Sequence, residues 1–179
     1  MNRRELLKSS GLFVGYAISS ATLTSLFISC QAEAKLNLDW KPVFLSKEQA
    51  NMLAEITETI LPKTKTPGAK ELAVPQFIDK MLKEVSGKAD QTDFVVGLAQ
   101  MDKDCTNQYG KSFVECTPED RIAFLLTMDE AAGKFPPSVW GITLAPPSPV
   151  AFFRQLKSLT LFGYYTSEEV GKNILSYDP

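Results

Sequence analysis

Helix start signals recur along most of this chain, and they are the feature that most constrains its fold. Ser46 and Gln49 match the capping-box pattern, in which each side chain bonds a backbone N–H at a helix start. Thr117 followed by Pro118 is a second start signal, a capping hydroxyl before a proline of the first turn. Apolar residues follow each start at helical spacing, and no segment alternates convincingly as a strand would. The sequence therefore predicts an all-α fold, a single compact domain of five or six helices over residues 46–179.

Prolines and glycines set the predicted limits of these helices, because neither residue continues a helix well. Gly163, for example, is expected to end the fifth helix. Residues 134–149 contain five prolines and are predicted to form an irregular loop. The apolar side of the fourth helix is predicted to consist of Ile122, Leu125, Leu126 and Met128. The predicted helices span residues 46–61, 75–86, 90–109, 117–132, 148–162 and 167–175.

Two adjacent arginines, Arg3 and Arg4, lie near the start of the chain and are followed by a glutamate, two leucines and a lysine. A charge-free stretch then covers residues 9–32. This pattern resembles the twin-arginine export signal of bacteria, a route that moves proteins already folded. The stretch is rich in Ser, Thr and Gly, which makes it too polar for a stable membrane-spanning helix. Residues 1–30 are therefore predicted to be an export signal and residues 31–45 a tether, which gives a periplasmic protein.

Two ways of processing this signal remain open. Residues 26–30 end in Cys30 and resemble a lipoprotein box, in which a lipid is attached to the cysteine; Phe27 stands where leucine is usual. Residues 32–34 read Ala-Glu-Ala and fit the small-x-small site of ordinary signal cleavage, which would remove Cys30. The lipoprotein interpretation is favoured, and it predicts that a lipid on Cys30 anchors the protein to the membrane.

The chain contains no histidine, and this absence excludes several functions together. Without an imidazole there is no Ser-His or Cys-His nucleophile and no histidine ligand for haem or zinc. The ten glycines never occur as G-x-G, so no dinucleotide fingerprint is present, and no G-x-x-x-x-G-K-[ST] pattern occurs, so no P-loop is present. No C-x-x-C pair is available for zinc or an iron–sulfur cluster. We therefore assign no catalytic, cofactor-binding or metal-binding residue.

The charge balance argues against nucleic acid as a partner. Residues 1–30 hold three of the 19 basic and one of the 21 acidic residues, so the remainder carries a net charge of −4. No basic run stands out in that remainder, although nucleic-acid binding depends on such a cluster.

Three cysteines are present, and two of them lie outside the export segment. Cys105 and Cys116 would both reach an oxidising compartment, where disulfides form and persist. A Cys105–Cys116 disulfide is predicted, and closing so short a loop would stabilise the fold by roughly 3 kcal/mol. The alternative is a pair of buried thiols.

Several motifs, in order, resemble the gluconate 2-dehydrogenase subunit 3 family over about residues 46–178. The first is Ile60-Leu61-Pro62, followed by Thr66-Pro67-Gly68-Ala69 and by Val74-Pro75-Gln76-Phe77-Ile78-Asp79. Thr117-Pro118-Glu119 comes next. The last are Phe152-Phe153-Arg154-Gln155-Leu156-Lys157 and Thr160-Leu161-Phe162-Gly163-Tyr164-Tyr165-Thr166-Ser167-Glu168.

The resemblance implies a small accessory subunit that is not an enzyme by itself. Members of the family partner a flavin-containing dehydrogenase of the glucose–methanol–choline type, and sometimes a c-type cytochrome. The expected cofactor is FAD, held by the large partner subunit and not by this chain. The small subunit is implied to assist folding, export and membrane association of that partner, which acts on a sugar, sugar acid or polyol. The alternative function is a free-standing helical envelope lipoprotein that acts as a binding module.

Two segments are candidates for the interface with that partner. One is the Pro67-Gly68 turn, although turn geometry alone also explains these two residues. The other is the aromatic segment at the predicted fifth helix, which is apolar on more than one side and is therefore either central to the domain or shared with a partner. Helix capping explains the acidic residues Glu115, Glu119 and Asp120 better than catalysis does. The aromatic candidates are Phe152, Phe153, Phe162, Tyr164 and Tyr165.

Overall fold

The computed structural model describes residues 38–133, 138–139, 142–143 and 150–175. These residues belong to one compact unit, Leu36–Pro179. The predicted export signal with Arg3 and Arg4, the lipidation site Cys30 and the cleavage site at residues 32–34 lie outside the described residues.

The described residues form an all-α fold, as the sequence predicts. A 3₁₀ turn at Phe113–Glu115 precedes the fourth helix, and a π-helical turn at Val170–Ile174 follows the fifth. Within the predicted loop, two-residue strands β1 (Ser138–Val139) and β2 (Ile142–Thr143) pair antiparallel. The α-helices are α1 (Lys47–Ile60), α2 (Val74–Glu84), α3 (Lys88–Tyr109), α4 (Pro118–Ala131) and α5 (Phe152–Tyr165).

The predicted start signals are confirmed by the caps of α1 and α4. Ser46 Oγ accepts the Gln49 N–H at 3.2 Å, and Gln49 Oε1 accepts the Ser46 N–H at 3.0 Å. Thr117 Oγ1 accepts the Asp120 N–H at 3.2 Å, and Pro118 is the first residue of α4. These bonds satisfy backbone donors that have no partner inside a helix.

Helices α1 and α5 lie at the centre of the bundle, and each packs against the other four helices. Their contacts enclose a core to which every α-helix contributes. Full burial of a Leu, Ile, Met or Phe side chain stabilises a fold by about 1.5–3 kcal/mol. Completely or almost completely buried side chains include Leu53, Ile56, Ile78, Leu98, Met101, Phe124 and Leu156.

The prediction that Gly163 ends the fifth helix is wrong, because α5 continues through it to Tyr165. A Cβ atom at this position would lie 2.8 Å from Phe77 Cδ1 and 3.2 Å from Val74 Cγ1. Both neighbours belong to α2, so glycine is needed here to let the two helices approach closely. The residue serves packing and not chain termination.

The predicted apolar side of α4 is also partly wrong. Phe124 and Leu125 are buried, whereas Ile122 and Leu126 are 50% and 57% exposed. Helix α4 carries apolar residues on several sides, so periodicity did not define one face. Arg121 lies on the side of α4 that faces α1. Its side chain donates to Phe113 O at 3.0 Å and forms an ion pair with Glu55 of α1 at 2.6 Å.

Candidate partner-binding surface

The aromatic residues of α5 divide between the core and the surface. Phe153 and Tyr164 are 3% and 7% exposed, since they lie on the same side of the helix as Leu156. Phe162 and Tyr165, three residues apart, are 52% and 53% exposed. Helix α5 is therefore central to the domain, as one interpretation predicts, and it leaves two aromatic rings at the surface. That the helix is shared with a partner stays a prediction.

Phe152, the remaining aromatic candidate, is half-buried within the domain. Its ring centroid lies 5.4 Å from that of Phe94, and the rings meet edge to face. The ring also occupies the space where Gly97 lacks a side chain, since a Cβ there would lie within 2.5 Å of three of its ring carbons. Phe152 thus fastens α5 to α3.

We define the aromatic surface as the exposed rings of Phe162 and Tyr165 together with the half-buried ring of Phe77 in α2. The Phe77 and Phe162 ring centroids are 5.8 Å apart. The Tyr165 ring lies 5.5 Å from that of Tyr164, at an interplanar angle of 83°. Phe77 was not predicted for this surface, although its place in the motif at residues 74–79 was a usable signal.

The second candidate segment contacts the same helix. The Tyr164 hydroxyl donates to the carbonyl oxygen of Pro67 at 3.0 Å, which brings the turn against α5. Pro67 is half-buried and Gly68 is buried. A Cβ at Gly68 would lie 2.8 Å from the backbone nitrogen of Lys63, so the close approach of these two backbone segments explains this glycine.

Carboxylates hold the turn in place. Glu58 accepts the N–H groups of Lys63 at 3.1 Å and Lys70 at 2.8 Å. Glu71 accepts the Gly68 N–H at 3.1 Å and pairs with the Lys63 ammonium. The bond from Lys63, and then the one from Gly68, lower the pKa of Glu71, and the same Glu71 contact raises the pKa of Lys63. The turn is therefore a fixed structure.

A second apolar feature is a groove of about 170 Å³ between α1, α4 and α5. Its lining includes Ile60 and Phe153, and the exposed Ile122 and Leu126 lie on its α4 side. An ion pair between Lys157 and Asp129 at 2.8 Å also borders it. Sequence reasoning missed this groove because it placed Ile122 and Leu126 inside the core.

Two of the three acidic residues act in helix capping, as predicted, and Glu119 lies in the first turn of α4. Glu115 accepts the Ser112 hydroxyl at 2.7 Å and the Ser112 N–H at 3.2 Å, and these two bonds lower its pKa. Asp120 accepts the Thr117 hydroxyl at 2.8 Å. Among the described residues, no group of three or more Cys, Asp or Glu side chains could hold a metal ion.

A family model described as gluconate 2-dehydrogenase subunit 3 matches residues 47–179, which includes every helix described above. The chain belongs to this family. No curated protein and no solved structure matches the chain. The family's name implies membership of a gluconate dehydrogenase complex, and both the aromatic surface and the groove lie within the matched residues.

A buried carboxylate with a structural role is a further feature of this subunit 3 family member that the sequence did not reveal. Asp79 of α2 is completely buried, and its carboxylate accepts the N–H groups of Val43 at 2.6 Å, Phe44 at 3.2 Å and Leu45 at 2.8 Å. It therefore holds the end of the tether that precedes α1. The available signal was an acidic residue inside an apolar pattern, next to Ile78.

No helix in the described part of this family member is long and apolar enough to cross a membrane.

Proposed function

We propose that this chain is the non-catalytic small subunit of an oxidoreductase complex, which assists folding, export and membrane association of its partner. The partner is a glucose–methanol–choline-type dehydrogenase that holds FAD and oxidises a sugar, sugar acid or polyol. The observation that carries the proposal is the family match over residues 47–179. The sequence supports it, since a chain without histidine or a G-x-G motif is poorly suited to hydride transfer itself.

The proposed export route uses the Arg3-Arg4 signal, and the proposed anchor is a lipid on Cys30. Both are supported by the residue patterns alone. Because the twin-arginine route carries folded proteins, one signal can serve two subunits that have already assembled. A flavoprotein loaded with FAD in the cytoplasm would then reach the periplasm with this chain.

The proposed binding site for the large subunit is the aromatic surface. Large rings that are half exposed on a monomer are favoured interface anchors, and truncation of such an anchor costs about 2 kcal/mol or more, roughly thirtyfold in affinity. Phe162 and Tyr165 meet this description, whereas Phe153 and Tyr164 are buried in the core.

The test is co-purification from native detergent extracts with an affinity tag at the carboxyl end of this chain. The wild-type chain is expected to recover a yellow, flavin-bearing large subunit. The double variant Phe162→Ala/Tyr165→Ala is expected to recover much less of it. The matched control is Val85→Ala/Val96→Ala, which truncates two side chains of similar exposure elsewhere on the bundle and should leave recovery unchanged.

Two results would contradict this proposal. A wild-type chain that purifies without any flavoprotein would favour the free-standing lipoprotein instead. If both double variants recover the large subunit equally, the complex forms, but the aromatic surface is not its binding site. In that case Ile122→Ala/Leu126→Ala would test the groove.

A further inference from the structure

The connection between α3 and α4 brings two cysteine side chains together. Cys105 lies in the last turns of α3, and Cys116 follows the 3₁₀ turn just before the α4 cap. Their sulfur atoms are 3.5 Å apart, and the residues are 0% and 6% exposed. The two thiols form a buried pair.

Other contacts hold this connection without help from the sulfurs. Asp102 Oδ1 accepts the Phe113 N–H at 2.8 Å. Gly110 ends α3 with a φ of 71°, a conformation that glycine adopts without strain. Arg121 bonds the carbonyl oxygens of Phe113 and Val114. The fold itself therefore places the sulfurs near bonding distance, and they need to approach by about 1.5 Å to reach the length of a disulfide.

We propose that Cys105 and Cys116 form a redox modification site, assembled as a dithiol by folding and closed to a disulfide only when the α3–α4 connection opens transiently. The oxidant is a disulfide-bearing compound or protein. This inference depends on the proposed function only for the compartment, since export would carry the folded dithiol from a reducing to an oxidising environment.

The reaction balances as two thiol–disulfide exchanges. The thiolate of one cysteine attacks the oxidant's disulfide, forms a mixed disulfide and releases one oxidant thiolate. The thiolate of the other cysteine then attacks the sulfur of the first, which forms the Cys105–Cys116 bond and releases the second oxidant thiolate. The pair loses two electrons and two protons, and the oxidant is reduced to its dithiol form.

Opening is required for two reasons. The closed pair leaves no room for an oxidant to reach either sulfur, because both residues are buried. Burial, and then the contact with Cys116, also raise the pKa of the Cys105 thiol to about 12, so the closed protein supplies little of this thiolate at neutral pH. The oxidation rate should therefore follow the fraction of molecules in which the connection is open.

The test uses the purified full chain, reduced and then incubated with glutathione disulfide. Remaining thiols are counted by maleimide labelling after denaturation, and peptide mapping locates the bond. The variant Asp102→Asn replaces the charged acceptor of the Phe113 N–H by a neutral amide oxygen and should speed oxidation by about five- to tenfold, the factor expected for that weakening of one hydrogen bond. The control Asp104→Asn alters a carboxylate bonded within α3, to Gln100, and should leave the rate unchanged.

Sub-denaturing urea gives a second measurement that does not rely on a variant. It should accelerate oxidation of the wild-type chain, and a linked Cys105–Cys116 peptide should be the main product. Thiols that stay free in wild type, in Asp102→Asn and in urea would overturn the proposal. So would a rate that neither Asp102→Asn nor urea changes. Neither result would affect the proposed partnership with a flavoprotein, which is measured separately by co-purification.

Discussion

Asp79→Asn tests how the domain holds its tether. In the wild type one carboxylate oxygen accepts two backbone N–H groups, from Phe44 and Leu45, and the other oxygen accepts one, from Val43. An asparagine keeps one acceptor oxygen and replaces the other by an NH₂ group, which must face a backbone donor. At least one bond is lost, and the remaining bonds no longer have a charged acceptor.

The magnitude follows from these bonds. A hydrogen bond to a charged group contributes about 1.5–3 kcal/mol, and one between neutral groups contributes about 0.5–1.5 kcal/mol. Losing one charged bond and weakening two others is partly offset, because a neutral side chain is easier to bury. The expected net loss is about 2–4 kcal/mol of the free energy of unfolding.

Urea unfolding followed by circular dichroism measures this loss, and hydrogen exchange measures faster opening at residues 43–45. Asp39→Asn is the matched control, because Asp39 is exposed in the same segment and should change stability by less than about 0.5 kcal/mol. If Asp79→Asn matches that control in both assays, the assigned role of Asp79 is wrong.

Three further predictions concern packing and titration. Gly163→Ala should lower the free energy of unfolding by about 1–3 kcal/mol, since its Cβ would overlap α2. The control Gly171→Ala should leave the free energy of unfolding unchanged, because its Cβ would meet no atom within 4 Å, and equal urea midpoints for the two variants would refute this. Leu156→Ala should cost about 2–5 kcal/mol and Phe162→Ala under about 1 kcal/mol, and the reverse order in urea unfolding would contradict the assigned burial. An unfolded thiol loses its proton above a pKa of about 8.5, whereas folded Cys105 holds its proton until about pH 12. The reduced chain should therefore keep its full stability below about pH 8.5 and lose up to about 1.4 kcal/mol per pH unit above it. Unfolding measured at several pH values tests this, and the disulfide form should lack the slope.

Local signals predicted the helices well, because the bonds at helix ends join residues close in sequence. Ser46 with Gln49, and Thr117 with Asp120, act over three residues and needed no tertiary information. Gly163 shows the limit of this reasoning. Its usual effect is to stop a helix, but here contact with α2 decides its role, and that contact is not written in the neighbouring residues.

The candidate site was predicted as a segment and not as a surface. The sequence selected the aromatic residues of α5, but only packing decides that Phe153 faces the core and Phe162 the solvent. The buried and exposed sides of α4 were assigned incorrectly for the same reason. Asp79 was missed because its partners are backbone N–H groups 34 to 36 residues away, and backbone groups leave no pattern in a sequence.

The most direct test of the central claim is the location of the proposed flavoprotein partner in cells that carry the Arg3→Lys/Arg4→Lys variant of this chain. If this subunit brings its partner across the membrane, the large subunit and its FAD should remain in the cytoplasm, while the wild-type chain delivers both to the periplasm. A large subunit that reaches the periplasm equally well with the variant would contradict the account.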